Sequence, residues 1–178
     1  FKSDTFIGSN ATEKTFKSLA GNYDILHLAM HTIIDNENPM YSKLVFSNSN
    51  DSTEDDLLNA YELYNMTLNA KMVVLSSCSS GKGMINKGEG IISISRSFYY
   101  AGSSSVLLTL WEIEDDIVGE LMVNFYRYLR KGYSIHKALQ FAKLKFINKQ
   151  PPFFTNPFYW SPYVIYGNTC SLNFPLIY

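Results

Sequence analysis

Apolar residues gather in short runs along the chain, and their spacing predicts the strands of a buried sheet. Residues 24–30 place apolar side chains on both faces of an extended segment, and 72–77 and 105–110 contain uninterrupted apolar runs. A half-solvated strand alternates apolar and polar positions, so these runs predict strands that are covered on both faces. We also expect a strand or hairpin arm at 44–46 and a last strand at 163–166.

Between these runs the apolar residues recur at helical spacing, with polar caps or glycines at the ends. The predicted helices cover residues 12–20, 57–64, 91–101, 115–131 and 134–148. Strands that alternate with helices indicate βαβ units. The prediction is therefore a single α/β domain over residues 1–178, with a mostly parallel sheet flanked by helices on both faces.

Composition narrows the class of protein further. With 178 residues, 46% of them hydrophobic and 17% charged, the chain is typical of one well-packed globular domain. A net charge of −1 gives no overall attraction to nucleic acid or to an anionic membrane, so neither partner is expected. The sequence also lacks the ~18 consecutive apolar residues of a membrane span and the layout of a signal peptide.

Cysteine usage and the first residue bear on location and context. The chain has two cysteines, Cys78 and Cys170, which favours a reducing compartment, and we expect the protein to be cytoplasmic. Because the chain opens at Phe1 rather than at a methionine, we expect it to be a fragment of a longer protein.

Two residues with catalytic chemistry each follow a predicted strand. His31 stands after the first buried run and Cys78 after the second, and the carboxyl ends of neighbouring parallel strands meet at one edge of a sheet. A thiol beside an imidazole can attack a carbonyl carbon, and the backbone N–H of Cys78 can face the resulting oxyanion. The alternative is that Cys78 is an inert core residue, which position alone leaves open.

The other candidates favour structural roles. His27 lies within a strand and is interpreted as a hydrogen-bonded core residue, His136 as a surface residue, and Cys170 as an unpaired bystander. No cluster of metal ligands appears in the sequence, and the Gly-x-Gly pairs at 81–83 and 88–90 lack the pattern of a phosphate loop. We expect neither a metal nor a cofactor.

Several ordered motifs together resemble the CHAT domains, which are bacterial relatives of caspases and separases and often occur with TPR repeats. The most specific are Ile25-Leu26-His27-Leu28-Ala29-Met30-His31 and Val73-Val74-Leu75-Ser76-Ser77-Cys78-Ser79-Ser80-Gly81. Further pieces lie at residues 88–90, 101–102, 106–115 and 159–164, so the likeness runs from about Phe6 to Gly167. The resemblance implies a caspase-like fold, cysteine endopeptidase activity on a protein or peptide substrate, and an attached or associated TPR-type regulatory domain.

The resemblance also implies a role for each residue that matches a family motif. His31 and Cys78 match the catalytic dyad, and the main-chain N–H groups of Thr32 and Cys78 match the oxyanion donors. Thr32 stands where the family usually has glycine, and Ser77 where it usually has alanine. Asp115 matches the acidic residue that receives a substrate arginine in separases, which implies cleavage after Arg.

Alternatives remain open at two levels. Asp115, together with Asp116, is also a good first pair for the helix that follows, whose positive end favours acidic side chains. The chain as a whole has a second interpretation as a catalytically silent interaction or signalling module, which Thr32 favours. A small-molecule binder of flavodoxin-like topology is a third.

Overall fold

The computed structural model of the chain describes residues 3–49, 53–76, 89–111, 113 and 115–172, with the backbone alone for residues 89–90 and 115–118. The strands are β1 Ile25–Leu28, β2 Thr32–Ile33, β3 Lys43–Val45, β4 Leu57–Asn59, β5 Met72–Leu75, β6 Ser105–Thr109 and β7 Tyr163–Gly167. The helices are α1 Glu13–Leu19, α2 Ala60–Leu63, α3 Glu89–Tyr100, α4 Asp115–Arg130, α5 Ile135–Lys149 and α6 Pro157–Trp160.

Four strands form the main sheet in the order β1-β5-β6-β7. The β1–β5 and β5–β6 pairs are parallel, whereas β6 and β7 are antiparallel. This arrangement confirms the predicted mostly parallel α/β sheet. The other three strands form a small antiparallel sheet in the order β2-β3-β4, which we call the cap sheet. The sequence predicted one of its strands, near residues 44–46, and missed the sheet.

Alternate residues of β5 point into two separate cores. Val73 and Leu75 pack in a core that also contains residues of α1, α3 and the cap sheet. Met72 and Val74 pack in the other core, with α4 and α5. All four side chains are fully buried, as a strand with helices on both faces requires. The prediction of helices on both faces of the sheet is confirmed.

The first strand departs from the predicted burial. In β1, Leu26 and Leu28 are buried, but His27 is exposed. β1 is an edge strand and pairs with β5 along one side. The helices that pack over the central strands therefore cover the side chains of β1 less completely. The prediction of a strand covered on both faces is therefore wrong for β1 and correct for β5 and β6.

The segment predicted as a helix over residues 57–64 is divided between two kinds of structure. Its first three residues form β4, and the single turn of α2 follows. Asn59 and Glu62 make a reciprocal capping box at this transition, with the Asn59 N–H donating to Glu62 Oε2 at 3.0 Å. Pairing with β3 draws Leu57–Asn59 into the cap sheet, which local spacing does not reveal.

A lysine connects α1 with the region of the cap sheet. Lys17 Nζ lies 2.7 Å from Glu13 Oε1, 2.8 Å from Glu54 Oε2 and 3.0 Å from Glu62 Oε1. Burial on its own would lower the pKa of Lys17, but the hydrogen bonds to these carboxylates outweigh it and the pKa is raised. The lysine therefore stays charged and holds the residues around β4 against α1.

No helix within the described part of the chain is both long enough and apolar enough to cross a membrane.

Candidate functional site

His31 lies just beyond the carboxyl end of β1, where the chain passes from the main sheet to the cap sheet. Its carbonyl oxygen accepts a hydrogen bond from the N–H of Val45 in β3, with an N···O distance of 2.9 Å. This bond holds the backbone of His31 against the cap sheet, while the residue is exposed to solvent. His31 is therefore an exposed residue at the carboxyl end of β1.

The parallel pairing of β1 with β5 keeps one constant separation along the chain. Every paired position in the two strands is separated by 47 residues, from Ile25 with Met72 to Leu28 with Leu75. The Ser76 N–H donates to the Leu28 carbonyl at 3.0 Å, so the contact continues beyond the last pair. His31 and Cys78 are also 47 residues apart. Cys78 itself lies outside the described residues.

Thr32 is the first residue of β2, and its side chain is 1% exposed. It faces Leu44 of β3, and the hydrogen bond between His31 and Val45 flanks this pair. The two residues therefore form a non-hydrogen-bonded pair of the antiparallel ladder, in which the side chains lie close together. The β-branched side chain thus points into the protein interior.

Asp115 begins α4, as the sequence predicted for a helix start. Its side chain is outside the description. The connection from β6 to α4 is anchored before it: the Leu110 N–H donates to the Pro162 carbonyl at 3.1 Å, and Trp111 Nε1 donates to the Phe158 carbonyl at 2.9 Å. Because β1, β5 and β6 are neighbouring parallel strands, their carboxyl ends lie on the same side of the sheet. The connection that follows β6 therefore leaves the sheet on the same side as the segments that follow β1 and β5.

His27 has a different environment from His31. The hydroxyl of Tyr126 in α4 lies 3.0 Å from His27 Nδ1, and the two ring centroids are 5.6 Å apart. Surrounding protein removes solvation from the imidazole and lowers the pKa of His27, although part of the residue stays exposed. The predicted hydrogen bond is confirmed, but His27 is not a core residue. Sequence reasoning missed Tyr126, which is 99 residues away and carries no local signal.

The remaining two candidates lie near the start of α5. His136 is exposed, with Nδ1 located 3.2 Å from Ser134 Oγ and 3.1 Å from the carbonyl oxygen of Thr169. Cys170 is a free, exposed cysteine, and its carbonyl accepts from the Ile135 N–H. Their predicted positions, at the surface and unpaired, are confirmed.

A mostly parallel sheet, helices on both of its faces and a histidine beyond the first strand define the class as a caspase-like α/β fold. The family model of the CHAT domain matches residues 2–168, which is nearly the whole chain. The chain therefore belongs to the CHAT domain family.

Two relatives place this domain within much longer proteins. Tetratricopeptide repeat protein 28 of Mus musculus and its namesake of Homo sapiens are each 29% identical to the chain over 119 residues. The alignment covers 67% of the chain and 5% of either relative, so the chain spans a small part of their length. Both names refer to TPR repeats, in keeping with the expected association. Both proteins are mammalian, so the similarity is not confined to bacteria.

Proposed function

We propose that the chain is a cysteine endopeptidase in which Cys78 is the nucleophile and His31 transfers protons. The observation that carries this proposal is the shared separation of 47 residues between paired positions of β1 and β5 and between His31 and Cys78. Parallel pairing brings the carboxyl ends of β1 and β5 to the same side of the sheet, and His31 follows the last residue of β1 by three positions, as Cys78 follows that of β5. Membership of the CHAT domain family supports the same pair.

The chemistry follows from a thiol and an imidazole at one edge. Cys78 Sγ attacks the carbonyl carbon of the scissile peptide bond as His31 accepts the thiol proton. The C–N bond then breaks, His31 gives the proton to the leaving amine, and a thioester remains on Cys78. Water, deprotonated by His31, hydrolyses the thioester and restores the thiol. The reaction needs no cofactor.

Stabilisation of the oxyanion falls to the main-chain N–H groups of Thr32 and Cys78 in this proposal. The threonine side chain is buried in the cap sheet, so its β-branch does not project over the edge where a substrate carbonyl would lie. This burial supports threonine as a workable substitute for the usual glycine.

Specificity for arginine before the scissile bond rests on Asp115. This residue starts α4, immediately after the connection that leaves β6 at the edge proposed for catalysis. A carboxylate there would bind a guanidinium through two hydrogen bonds, which an ammonium cannot match. We therefore propose Arg as the preferred residue, Lys as weaker and Asp as disfavoured.

The test combines cleavage of a peptide library with labelling by an electrophilic peptide such as a chloromethyl ketone. Cys78→Ala and His31→Ala should each reduce turnover by about 10²-fold or more with an unchanged circular dichroism spectrum. Cys170→Ala and His27→Asn are matched controls that should retain activity. A mass map that places the label on Cys170 instead of Cys78 would show that the nucleophile is misassigned.

A second candidate function is a catalytically silent module that exchanges signals with a TPR-type domain, in a cytoplasmic setting. It is favoured by the threonine at position 32 and by the TPR repeats in the names of both relatives. A chain that folds but neither cleaves the library nor reacts at Cys78, with or without Thr32→Gly, would establish this alternative over the peptidase.

A further inference from the structure

The overall charge of −1 hides a strong separation of charge along the chain. All 16 acidic residues precede residue 121, whereas 7 of the 15 basic residues follow it. Residues 1–120 therefore carry a net charge of −8 and residues 121–178 carry +7. The second part includes most of α4 and all of α5, which cover the opposite face of the main sheet from the cap sheet.

Three cations at the end of α4 line an open groove of about 320 Å³, which we call the basic groove: Arg127, Arg130 and Lys131. All three residues are exposed. Desolvation and then the positive charges of neighbours including Arg127 and Lys131 lower the pKa of Lys145, with Glu120 as the opposing carboxylate. Lys145 therefore has several positively charged neighbours and one carboxylate that opposes them.

On the other face, Tyr41 and Tyr61 lie near the Asp55 carboxylate, and Glu37 precedes Tyr41 by four residues in the chain. We call these four residues the acidic tyrosine surface. All four are exposed, and the rings of Tyr41 and Tyr61 meet edge to face with centroids 5.7 Å apart. Burial, followed by the charges of Glu62 and Asp55, raises the pKa of Tyr61, which places the Asp55 carboxylate close to this ring. Large apolar side chains nearby, such as Met40, are also exposed.

We propose that the basic groove of one copy binds the acidic tyrosine surface of a second copy. The two surfaces are complementary in chemistry as well as in sign, because guanidinium groups stack on aromatic faces and bond bidentately to carboxylates. Their positions on opposite faces of the main sheet prevent them from meeting within one copy. A net charge near zero also adds little overall repulsion between copies.

The geometry of such a contact determines the kind of assembly. Each copy uses a different surface on each side, so the contact is heterologous and leaves one groove and one tyrosine surface free at the two ends. Association should therefore continue beyond a dimer as the concentration rises. This proposal does not depend on Cys78 or His31 and stands whether or not the chain is a peptidase.

Sedimentation velocity over a range of protein concentrations tests the proposal. At about 0.1 M salt the weight-average mass should rise with concentration, and at about 1 M salt it should return towards the monomer, because the Debye length falls from about 10 Å to about 3 Å. A chain that stays monomeric at about 0.1 M salt at all concentrations would overturn the proposal. So would a monomeric chain whose groove binds heparin or anionic vesicles, since the partner would then be a polyanion.

Two neutralised variants make the test specific. Arg127→Gln with Arg130→Gln removes the groove charge, and Glu37→Gln with Asp55→Asn removes the carboxylates of the tyrosine surface. Each variant alone should be monomeric, and a mixture of the two should form a 1:1 heterodimer that grows no further, since each copy keeps one intact surface. Variants that associate as the unaltered chain does, or a mixture that stays monomeric, would refute the head-to-tail contact.

A matched control removes positive charge elsewhere on the protein. Lys71→Gln with Arg96→Gln changes the net charge by as much as the groove variant but leaves both surfaces unaltered. This control should associate as the unaltered chain does. Equal loss of association in the control and in the groove variant would show that net charge, rather than the groove, is responsible.

Discussion

Replacing Lys17 with methionine tests how strongly α1 is held to the region of the cap sheet. The substitution keeps an unbranched side chain of similar length but removes the ammonium that lies within 3.0 Å of the Glu13, Glu54 and Glu62 carboxylates. These carboxylates differ in burial: the Glu13 side chain is 1% exposed, whereas those of Glu54 and Glu62 are 23% and 26% exposed. Loss of the ammonium therefore affects Glu13 most.

The expected magnitude follows from that difference. Removing one partner of a buried ion pair costs about 3–5 kcal/mol, whereas an exposed pair contributes about 0–1 kcal/mol. Lys17 is 27% exposed, so the cluster lies just beneath the surface and water can reach it after a small movement. We therefore expect Lys17→Met to reduce the free energy of unfolding by about 2–3 kcal/mol at pH 7, below the range for a fully buried pair.

The pH dependence of this loss provides an independent check. Burial already raises the pKa of Glu13, and the hydrogen bond and charge of Lys17 oppose that rise. Without Lys17 the pKa should rise further. A carboxyl with a raised folded pKa is stabilised when protonated, so the stability of the variant relative to the unaltered chain should recover as the pH falls from 7 towards the ordinary glutamate value of 4.5.

Urea denaturation monitored by circular dichroism at pH 7 and pH 5 measures both quantities. Lys71→Met is a matched control, since Lys71 Nζ lies 3.1 Å from Asp24 Oδ1 in a pair whose side chains are 40% and 55% exposed. The control should lose less than about 1 kcal/mol. A loss for Lys17→Met no larger than that of the control, or one that is the same at both pH values, would refute the reasoning.

Two further predictions concern the candidate site, and a third concerns His27. Thr32→Gly should preserve or raise activity per folded molecule, measured as kcat/KM on a cleaved peptide, and a large loss would show that the threonine itself is needed. Asp115→Asn should lower kcat/KM for an Arg substrate by on the order of 30-fold and leave an uncharged substrate unaffected, whereas an equal change for both would leave only a helix-start role. Because the folded pKa of His27 is lowered, the unfolded chain takes up a proton more readily, and stability should fall as the pH drops below the ordinary histidine value of 6.5. This stability is measured as the urea midpoint at several pH values. His27→Asn should make the midpoint fall less steeply with decreasing pH, and an equally steep fall would contradict the lowered pKa of His27.

The predicted helices and strands were most accurate where a segment is covered on both faces. The apolar run at 72–77 gave β5, and the run at 105–110 gave β6. The acidic start and basic end of the fourth predicted helix correspond to α4, Asp115–Arg130, whose direction suits the helix dipole. In these segments, the local spacing of apolar residues agrees with their burial in the folded protein, so a pattern of a few residues is sufficient to predict the element.

The order of the candidate residues along the chain was also readable from the sequence. His31 and Cys78 follow separate strands in the sequence, and the parallel pairing of those two strands was expected from the alternation of strands and helices. The sequence shows that His31 and Cys78 are 47 residues apart. Only the pairing of Leu28 with Leu75 shows that this separation equals the register of the two strands. The register of two strands depends on contacts between them and not on either strand alone.

Tertiary structure alone decided the features that depend on distant partners. The edge position of β1 exposes His27, Tyr126 hydrogen-bonds to it from 99 residues away, and β4 exists because β3 offers a partner to Leu57–Asn59. The sequence by itself determined which segments are apolar, where helices begin and the order of the chemical groups, because these properties arise from neighbouring residues. It did not determine which strand lies at an edge or which side chains meet, because those outcomes arise from packing between segments far apart in the chain.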